Sequence, residues 1–239
     1  MKKATIHRME KLDYTSAESL NTICSNLSFA GRNQKKIVIT SVSEHEGKSY
    51  MTMQIMRNLA RRGRRVVLVD ADLRMSATTG RYGIEVEGRY VGLAHYLAGH
   101  CAMEDAIYET NIPGAYMVLE GRDVLSPIPL LNSREFAQLL STLADRFDVV
   151  LIDAPPIGLV IDAAEIARHC DGAVLVCEYN RTRRRELAAA RRQIEQAGCP
   201  IMGCVINKVT FDTLSSKKYY HRSYYAHYSS GYYRRSKKD

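Results

Sequence analysis

The chain has 239 residues, of which 46% are hydrophobic and 25% are charged, and its formal net charge is +8. A chain of this length and composition can bury a sizeable core, which excludes a collagen-like, disulfide-framework or wholly disordered protein. No apolar run reaches the roughly 18–20 residues that a membrane helix requires, and the first residues lack the apolar segment of a secretory signal. We therefore expect a cytoplasmic protein.

The positive charge is concentrated in one part of the chain. Residues 217–239 hold seven of the 34 Lys and Arg residues against a single acidic residue, Asp239, whereas the preceding residues are nearly balanced. Because the charge belongs mostly to this segment, it does not by itself indicate a nucleic-acid partner, and we expect none.

The predicted elements alternate between helices and short apolar strands. Thr15 and Glu18 have the spacing of a capping box, which predicts a helix from Thr15 to about Phe29. In chain order, strands are then predicted at residues 35–40, 65–70, 116–119, 147–152, 173–177 and 201–206, and helices at residues 47–59, 93–97, 104–108, 133–143, 161–169 and 184–197. Continuous β-branched runs separated by helices are typical of an α/β fold with a parallel sheet that helices cover on both faces.

Apolar periodicity stops at about residue 215, which predicts a folded domain at residues 1–214 and a mobile tail at residues 215–239. The tail contains seven of the chain's fifteen tyrosines, at Tyr219, Tyr220, Tyr224, Tyr225, Tyr228, Tyr232 and Tyr233. A packed core could not use tyrosines at this spacing. Considered alone, the cluster fits a set of phosphate acceptors, a basic and aromatic nucleic-acid tail, or a membrane-surface patch.

A glycine–lysine–serine motif follows the strand predicted at residues 35–40. Residues 41–49 read Ser-Val-Ser-Glu-His-Glu-Gly-Lys-Ser and lead into a predicted helix. In a phosphate-binding loop of this type, backbone N–H groups face the anion, a lysine (here Lys48) reaches the outer phosphates, and a hydroxyl (here Ser49) binds Mg²⁺. Val42 stands where the first glycine of the motif is usual, and a chance tripeptide in a surface turn is the alternative interpretation.

Three aspartates lie at the ends of two other predicted strands. Asp70 ends the strand at residues 65–70 and Asp72 follows two residues later, and Asp153 follows the strand at residues 147–152. The carboxyl ends of parallel strands border the ligand crevice of an open α/β sheet. Phosphoryl transfer needs Mg²⁺ held by carboxylate and hydroxyl groups, a lysine on the phosphates and an acceptor for the nucleophile's proton. Together with Lys48 and Ser49, the three aspartates supply that set, although each alone could be a turn or cap residue.

These motifs carry a family resemblance. Residues 41–49, 68–74 and 149–155 match the three nucleotide motifs of the bacterial P-loop tyrosine kinases (BY-kinases) of capsular and exopolysaccharide biosynthesis. The chain also resembles this family in Glu18, in residues 203–208 and in its tyrosine-rich tail. The resemblance covers nearly the whole chain and implies a P-loop NTPase fold of the deviant-Walker type, with a mostly parallel central sheet.

The resemblance also implies an activity with ATP and Mg²⁺ as cofactors. It implies a protein tyrosine kinase in which Asp70 is the base towards a tyrosine hydroxyl, Mg²⁺ is held by Ser49, Asp72 and Asp153, and Asn207 lies near the adenine. The implied catalytic residues are Lys48, Asp70, Asp72 and Asp153, and the implied nucleotide-binding residues are Ser43, Glu44, His45, Glu46, Gly47, Lys48, Ser49, Tyr50 and Asn207.

Further expectations concern regulation and partners. We expect the kinase to phosphorylate its tyrosine cluster in trans and so to regulate polysaccharide synthesis and export. The resemblance implies a transmembrane polysaccharide co-polymerase as activator, which would recruit the chain to the inner face of the cell membrane. We also expect a cognate tyrosine phosphatase and assembly into a homo-oligomer.

Two of the departures from the family pattern bear on nucleotide binding and assembly, and a third, Pro129 where an acidic residue is common, has no assigned consequence. Glu44 and His45 stand where Pro-Gly is usual, which would weaken nucleotide binding because His adopts a positive φ only at some cost. The first helix of the family carries a Glu-x-x-Arg-x-x-Arg oligomerisation motif, whereas Glu18 is followed here by Asn21 and Cys24. Two alternatives therefore stay open. The first is a partition- or cell-division-type ATPase switch, which would carry a lysine at the position of Ser43, and the second is a degenerate nucleotide-binding adaptor.

Overall fold

The computed structural model describes residues 1–29 and 34–209. Its strands are β1 (Lys2–Ile6), β2 (Lys36–Ser41), β3 (Val66–Asp70), β4 (Ile84–Val86), β5 (Ile107–Thr110), β6 (Ala115–Val118), β7 (Val149–Asp153), β8 (Gly172–Glu178) and β9 (Ile201–Asn207). Its helices are α1 (Tyr14–Phe29), α2 (Lys48–Arg61), α3 (Thr78–Tyr82), α4 (Leu93–Leu97), α5 (Met103–Ala106), α6 (Ile128–Leu131), α7 (Arg134–Arg146), α8 (Asp162–Ala167) and α9 (Arg184–Gln196). The predicted domain boundary near residue 215 and the seven tail tyrosines lie outside the described residues.

The strands of the described residues form one sheet in the order β4-β1-β5-β6-β3-β7-β2-β8-β9. The six strands from β6 to β9 in this order run parallel to one another, and antiparallel pairing occurs only where β1 meets β4 and where β5 meets β6. The predicted fold class, a mostly parallel sheet with helices on both faces, is confirmed.

The two faces of the sheet bury separate apolar clusters. On one face, side chains of α1 and α2 such as Leu20 and Met53 pack with Val66 and Leu68 of β3. On the other face, α7, α8 and α9 pack against Val67 and Val69 of the same strand, with Phe136, Ile166 and Ile194 contributing from the helices. Successive side chains of a strand point to opposite faces, so burial on both faces requires a continuous apolar run.

Part of the sheet was not predicted from the sequence. β1 and β4 had no predicted counterpart, and the helix predicted at residues 104–108 is only partly correct. α5 ends at Ala106, and the chain continues from Ile107 as β5, which pairs with β1 and β6. The Tyr108 hydroxyl donates to the Val91 carbonyl oxygen at 2.8 Å, which fixes this strand from a second side. Pairing with distant segments overrides the local helical pattern here.

The predicted capping box at the start of α1 is wrong. The helix begins at Tyr14, and the Asp13 carboxylate accepts hydrogen bonds from the backbone N–H of Ser16 at 2.8 Å and from the Ser16 hydroxyl at 3.1 Å. Asp13 therefore caps the helix two residues earlier than predicted. The Glu18 carboxylate instead accepts a hydrogen bond from the Asn21 amide at 3.0 Å.

Within the described residues, the helices are too short or too polar to cross a bilayer.

Candidate active site

The site lies where β2, β3 and β7 end. Asp70 and Asp153 are register partners at the carboxyl ends of the neighbouring strands β3 and β7, and both side chains are buried. On the other side of β7, Ile39 of β2 is the register partner of Asp153, and β2 leads directly into the loop at residues 42–47. The parallel pairing therefore brings the glycine–lysine–serine motif beside the aspartates.

The phosphate-loop backbone uses left-handed conformations at two positions. Gly47 has φ 95° and His45 has φ 63°. His45 thus adopts the left-handed conformation that the glycine of the related family would adopt freely. The resemblance to that family predicts this strain at position 45. A Cβ atom on Gly47 would overlap the Asn207 side-chain amide, so a larger residue here would have to displace Asn207 as well as adopt a positive φ. No side chain caps α2 at Gly47, which leaves the first-turn N–H groups of a 14-residue helix facing the loop.

Glu46 holds the loop in place. This side chain is buried, and its Oε2 accepts a hydrogen bond from the backbone N–H of Ser43 at 2.8 Å. Its Oε1 accepts a hydrogen bond from the Thr182 hydroxyl, and its backbone carbonyl accepts one from Asn207 Nδ2 at 2.9 Å. Glu46 therefore ties the loop to the end of β9 and to the segment before α9. Sequence reasoning missed Thr182, because a hydroxyl in a loop carries no local signal.

Lys48 lies between two carboxylates. Its Nζ is 2.9 Å from Asp72 Oδ2 and 3.9 Å from Asp153 Oδ1, and it donates to the Ser49 hydroxyl at 3.3 Å. Burial lowers the pKa of the Lys48 ammonium, but the carboxylates of Asp153 and Asp72 outweigh burial, so that the net shift of the pKa is upward. Lys48 is therefore a permanent cation at the start of α2.

Asp70 and Asp153 share a buried environment. Burial, followed by the charges of Asp153 and Glu120, raises the pKa of Asp70 to about 8. Burial also raises the pKa of Asp153, against the opposing effect of the Lys48 ammonium. The Asp70 carboxylate accepts hydrogen bonds from the Ser76 hydroxyl at 2.6 Å and from the backbone N–H of Asp72 at 3.2 Å, which fix its orientation.

The donor set fits a magnesium–nucleotide complex. Asp72 and Asp153 converge on Lys48 together with the Ser49 hydroxyl, and hard oxygen donors of this kind suit Mg²⁺. The described residues contain no group of three or more His, Cys, Asp or Glu side chains that could hold a metal ion by themselves. A Mg²⁺ ion here would use the two carboxylates and the hydroxyl together with phosphate oxygens, which is the usual arrangement in phosphoryl-transfer sites.

The remaining predicted residues lie around this centre at different depths. Glu44 and His45 are exposed at the tip of the loop, and Ser43 is half-buried. Tyr50 is half-buried in the first turn of α2, and the Arg81 guanidinium lies 5.9 Å from the centre of its ring. The ring of Tyr50 packs partly against the cluster on the α1–α2 face, so this side chain contributes to the packing of α2.

An ion pair that the sequence analysis does not predict holds the segment after Asp72 in place. Arg74 Nε donates to Asp162 Oδ2 at 2.6 Å, and its Nη2 donates to Asp162 Oδ1 at 2.9 Å. Asp162 is 1% exposed and begins α8, which follows β7. This two-point contact connects the segment that follows β3, which carries Asp72, with the segment that follows Asp153 at the end of β7.

The fold and the site define a P-loop NTPase, and the comparisons with known proteins agree. A family model described as an AAA domain matches residues 34–177. The chain is 39% identical over 193 residues to the tyrosine-protein kinase CpsD of Streptococcus agalactiae serotype Ia, covering 81% of this chain and 82% of that protein. The kinase domain of the Escherichia coli tyrosine kinase ETK superposes with a TM-score of 0.74 at 25% identity, over 87% of this chain and 86% of that one.

A cell-division ATPase is also similar, but to a smaller extent. The septum site-determining protein MinD of Pyrococcus horikoshii has a TM-score of 0.60 at 26% identity, covering 72% of this chain and 69% of that chain.

The chain belongs to the AAA domain family and, within it, to the bacterial tyrosine-protein kinases (BY-kinases). Its enzyme class is protein-tyrosine kinase.

Proposed function

We propose that the chain transfers a phosphoryl group from MgATP to tyrosines in the 219–233 cluster of a second copy, and that it serves the synthesis and export of a capsular or extracellular polysaccharide. The observation that carries this proposal is the position of Lys48 between Asp72 and Asp153 at the uncapped start of α2. The same position would place a cation and helix N–H groups against a triphosphate.

Each residue of the site has a proposed role. Lys48 and the first-turn N–H groups of α2 would bind the outer phosphates, and Ser49, Asp72 and Asp153 would hold Mg²⁺. The bound Mg²⁺ would supply charge neutralisation at the phosphates. Glu46 keeps the loop closed on itself through Ser43, so the loop amides are oriented before any ligand arrives.

Asp70 is the proposed base. A pKa of about 8 makes its carboxylate a better proton acceptor than an ordinary aspartate, and a general base works best when its pKa lies near the operating pH. Ser76 and the backbone N–H of Asp72 hold the carboxylate in one orientation. In the proposed reaction, Asp70 takes up the proton that the tyrosine hydroxyl gives up.

The tyrosine cluster is the proposed substrate because of its density and charge. Unmodified, residues 217–239 are strongly basic and would be attracted to a site that contains three aspartates. Each phosphotyrosine adds roughly −1.5 to −2 charges, so seven would add on the order of −10 to −14. Modification would therefore reverse the sign of the segment, release it from the site and loosen an oligomer that depends on it.

The proposed partners are a transmembrane polysaccharide co-polymerase, which would activate the chain and recruit it to the membrane, a cognate tyrosine phosphatase, and further copies of this chain. The positions of the two missing arginines bear on the oligomer. Cys24 is fully buried against α2, and the Asn21 side chain accepts hydrogen bonds from Asn58 at 3.0 Å and from Arg62 at 3.0 Å. Asn21 and Cys24 therefore serve the contact between α1 and α2 in this chain.

A radiolabelled-ATP assay tests the proposal. The purified full chain, alone and fused to a candidate activating segment, is compared with a version lacking residues 215–239 and with Lys48→Met. We expect phosphotyrosine that requires both Lys48 and the tail. Phosphate release without phosphotyrosine would support the ATPase switch, and neither product from the fused protein would support the adaptor. Mass spectra that show Tyr50 or Tyr82 modified and the tail bare would contradict the proposed substrate, and the burial of Tyr82 makes that outcome physically unfavourable.

A further inference from the structure

A concave basic surface lies at the end of α2 that is remote from the phosphate loop. This open concavity has a volume of about 440 Å³ and lies between the last turns of α2 and the connection from β5 to β6. Since an α-helix rises about 1.5 Å per residue, this surface lies on the order of 15–20 Å along α2 from Lys48. We call it the basic pocket, and its residues are Arg57, Ala60, Arg61, Gly63, Asn111, Ile112 and Pro113.

Two guanidinium groups without acidic partners line the basic pocket. Arg57 and Arg61 are four residues apart, so they lie on the same face of α2. Neither makes an ion pair with any residue that the structure describes, and Arg57 donates only to the Glu10 carbonyl oxygen, at 3.1 Å. Burial and the neighbouring charge of Arg61 lower the pKa of Arg57. An anion between the two groups would relieve their repulsion, and guanidinium groups suit phosphate oxygens.

The rest of the basic pocket is largely apolar. Ala60 is buried, Ile112 is half-buried, and Pro113 contributes its ring at the rim. The side chain of Asn111 is occupied with β1, because its amide donates to the Ile6 carbonyl at 3.1 Å and its Oδ1 accepts from the Ile6 N–H at 3.0 Å. A bare phosphate would leave this apolar surface unused, whereas a phosphate attached to an aromatic ring would cover it.

We propose that the basic pocket binds a phosphotyrosine side chain from the modified 219–233 cluster of a second copy of this chain. The proposal rests on the proposed function, which generates that group on other copies. The unmodified cluster is flanked by basic residues and would be repelled by Arg57 and Arg61, so the pocket would discriminate product from substrate. Because the pocket lies at the opposite end of α2 from Lys48, a bound phosphotyrosine leaves the phosphate loop free for ATP.

Binding to the full-length protein tests the proposal without requiring catalysis. The probes are a synthetic peptide of residues 217–235 phosphorylated at Tyr224 and Tyr225, the same peptide unmodified, phenyl phosphate and inorganic phosphate. We expect the phosphopeptide to bind and the unmodified peptide to bind at least about tenfold more weakly. Phenyl phosphate should bind more tightly than inorganic phosphate because of the apolar surface. Equal binding of the two peptides would overturn the proposal.

Variants locate the site. Arg57→Gln combined with Arg61→Gln should weaken phosphopeptide binding at least about tenfold, and Arg61→Gln alone, which removes an exposed group, should weaken it about threefold. Ile112→Ser should weaken phenyl phosphate binding and leave inorganic phosphate binding unchanged. The matched control is Arg184→Gln with Arg185→Gln on the exposed surface of α9, which should bind like the original chain. Loss of binding in this control, or retention in the Arg57 and Arg61 variants, would overturn the proposal.

Two further measurements separate the proposal from its competitors. Vesicles of phosphatidylserine and phosphatidylcholine are offered to the same variants, and a loss of vesicle binding in Arg57→Gln/Arg61→Gln with unchanged phosphopeptide binding would show a membrane site instead. ATP affinity is measured in parallel and should be the same in all variants. If the proposed kinase activity failed but phosphopeptide binding persisted, the basic pocket would still bind phosphotyrosine and the proposed source of that group would be wrong.

Discussion

Lys48 Nζ lies 2.9 Å from Asp72 Oδ2, and this ion pair joins the start of α2 to the segment that follows β3. Both side chains are largely shielded from water, with 14% of Lys48 and 8% of Asp72 exposed. A buried carboxylate that loses its cation is left with an uncompensated charge, which is more costly than the absence of the pair. The lysine therefore contributes to the folded state of the site, in addition to its proposed role in phosphate binding.

This relationship predicts the behaviour of Lys48→Met. We expect the free energy of unfolding to fall by about 3 kcal/mol without Mg²⁺, because Asp72 and Asp153 then face each other without a cation. Added Mg²⁺ should restore more stability to this variant than to the original chain, and ATP affinity should fall at least about tenfold. Chemical denaturation with and without Mg²⁺ measures both effects. Lys3→Met, at an exposed position, is the control, and an equal response to Mg²⁺ in all three proteins would contradict the prediction.

The left-handed conformation of His45 predicts an order of stability. With φ at 63°, a β-branched residue is strained and glycine is not. We expect the free energy of unfolding and the ATP affinity to follow His45→Gly ≥ His45 > His45→Val, over a range of about 1–2 kcal/mol in stability. Glu44 has an ordinary φ, so Glu44→Gly and Glu44→Val serve as the comparison and should not show this order. A more stable His45→Val would refute the argument from backbone strain.

The contact between Arg74 and Asp162 predicts strong coupling. Arg74→Leu leaves a buried carboxylate unpaired, and we expect a loss of about 3 kcal/mol. Arg74→Lys should lose about 1–2 kcal/mol, because an ammonium cannot reproduce the two-point contact. A double-mutant cycle with Asp162→Leu measures the coupling energy. The exposed pair of Arg181 and Glu178, 3.2 Å apart, is the comparison and should couple by less than about 1 kcal/mol. Equal coupling energies in the two pairs would contradict the prediction that burial makes the contact between Arg74 and Asp162 the stronger one.

The raised pKa of Asp70 predicts a pH dependence of stability. Between its ordinary value of 3.8 and about 8, the folded state keeps a proton that the unfolded state has lost. The free energy of unfolding therefore falls as the pH rises through this range. Asp70→Asn cannot ionise, so without Mg²⁺ it should flatten the profile and be more stable at pH 8 by at least about 1.4 kcal/mol, the equivalent of one pKa unit.

Denaturation midpoints from pH 4 to pH 9 in the presence of a chelator measure this effect. Asp123→Asn removes an exposed carboxylate and should leave the profile unchanged. Parallel profiles for Asp70→Asn and the original chain would show that Asp70 is ionised in the folded state throughout the range. Kinase activity of the original chain should rise as the pH rises through the pKa that Asp70 has in the Mg²⁺-loaded site, because the proposed base must be deprotonated.

Much of the central sheet could be predicted because its signals are local. β2, β3, β7 and β8 are each a largely apolar run, and burial on both faces of a parallel sheet demands such runs. β9 is also largely apolar in sequence, although it lies at an edge of the sheet and most of its residues are at least partly exposed. The edge on the other side could not be predicted in this way. β1 pairs with β5, and Lys2 and Tyr108 are register partners although more than a hundred residues separate them. The three-residue strand β4 is too short to show a period.

The contacts of the candidate site also fall into those that local sequence signals predict and those that depend on residues far apart in the chain. The meeting of Lys48 with the carboxylates follows from strand order, because the ends of neighbouring parallel strands share one edge. The partners of Glu46 and Arg74 do not follow from any local pattern, since Thr182 lies 136 residues from Glu46 and Asp162 lies 88 residues from Arg74. The backbone conformation of His45 could be expected from the sequence, because the related family has a glycine at this position. The structure confirms a positive φ of 63° there.

The place of β1 has a practical consequence for anyone who shortens or tags this protein. Because β1 is bonded on one side to β4 and on the other to β5, removing residues 1–6 would detach β4 and leave β5 with a free edge. Such an edge is a template for association with other chains, so a truncated preparation would be prone to aggregate for reasons unrelated to its regulation. Affinity handles are therefore better joined through a spacer that leaves Lys2 free to pair.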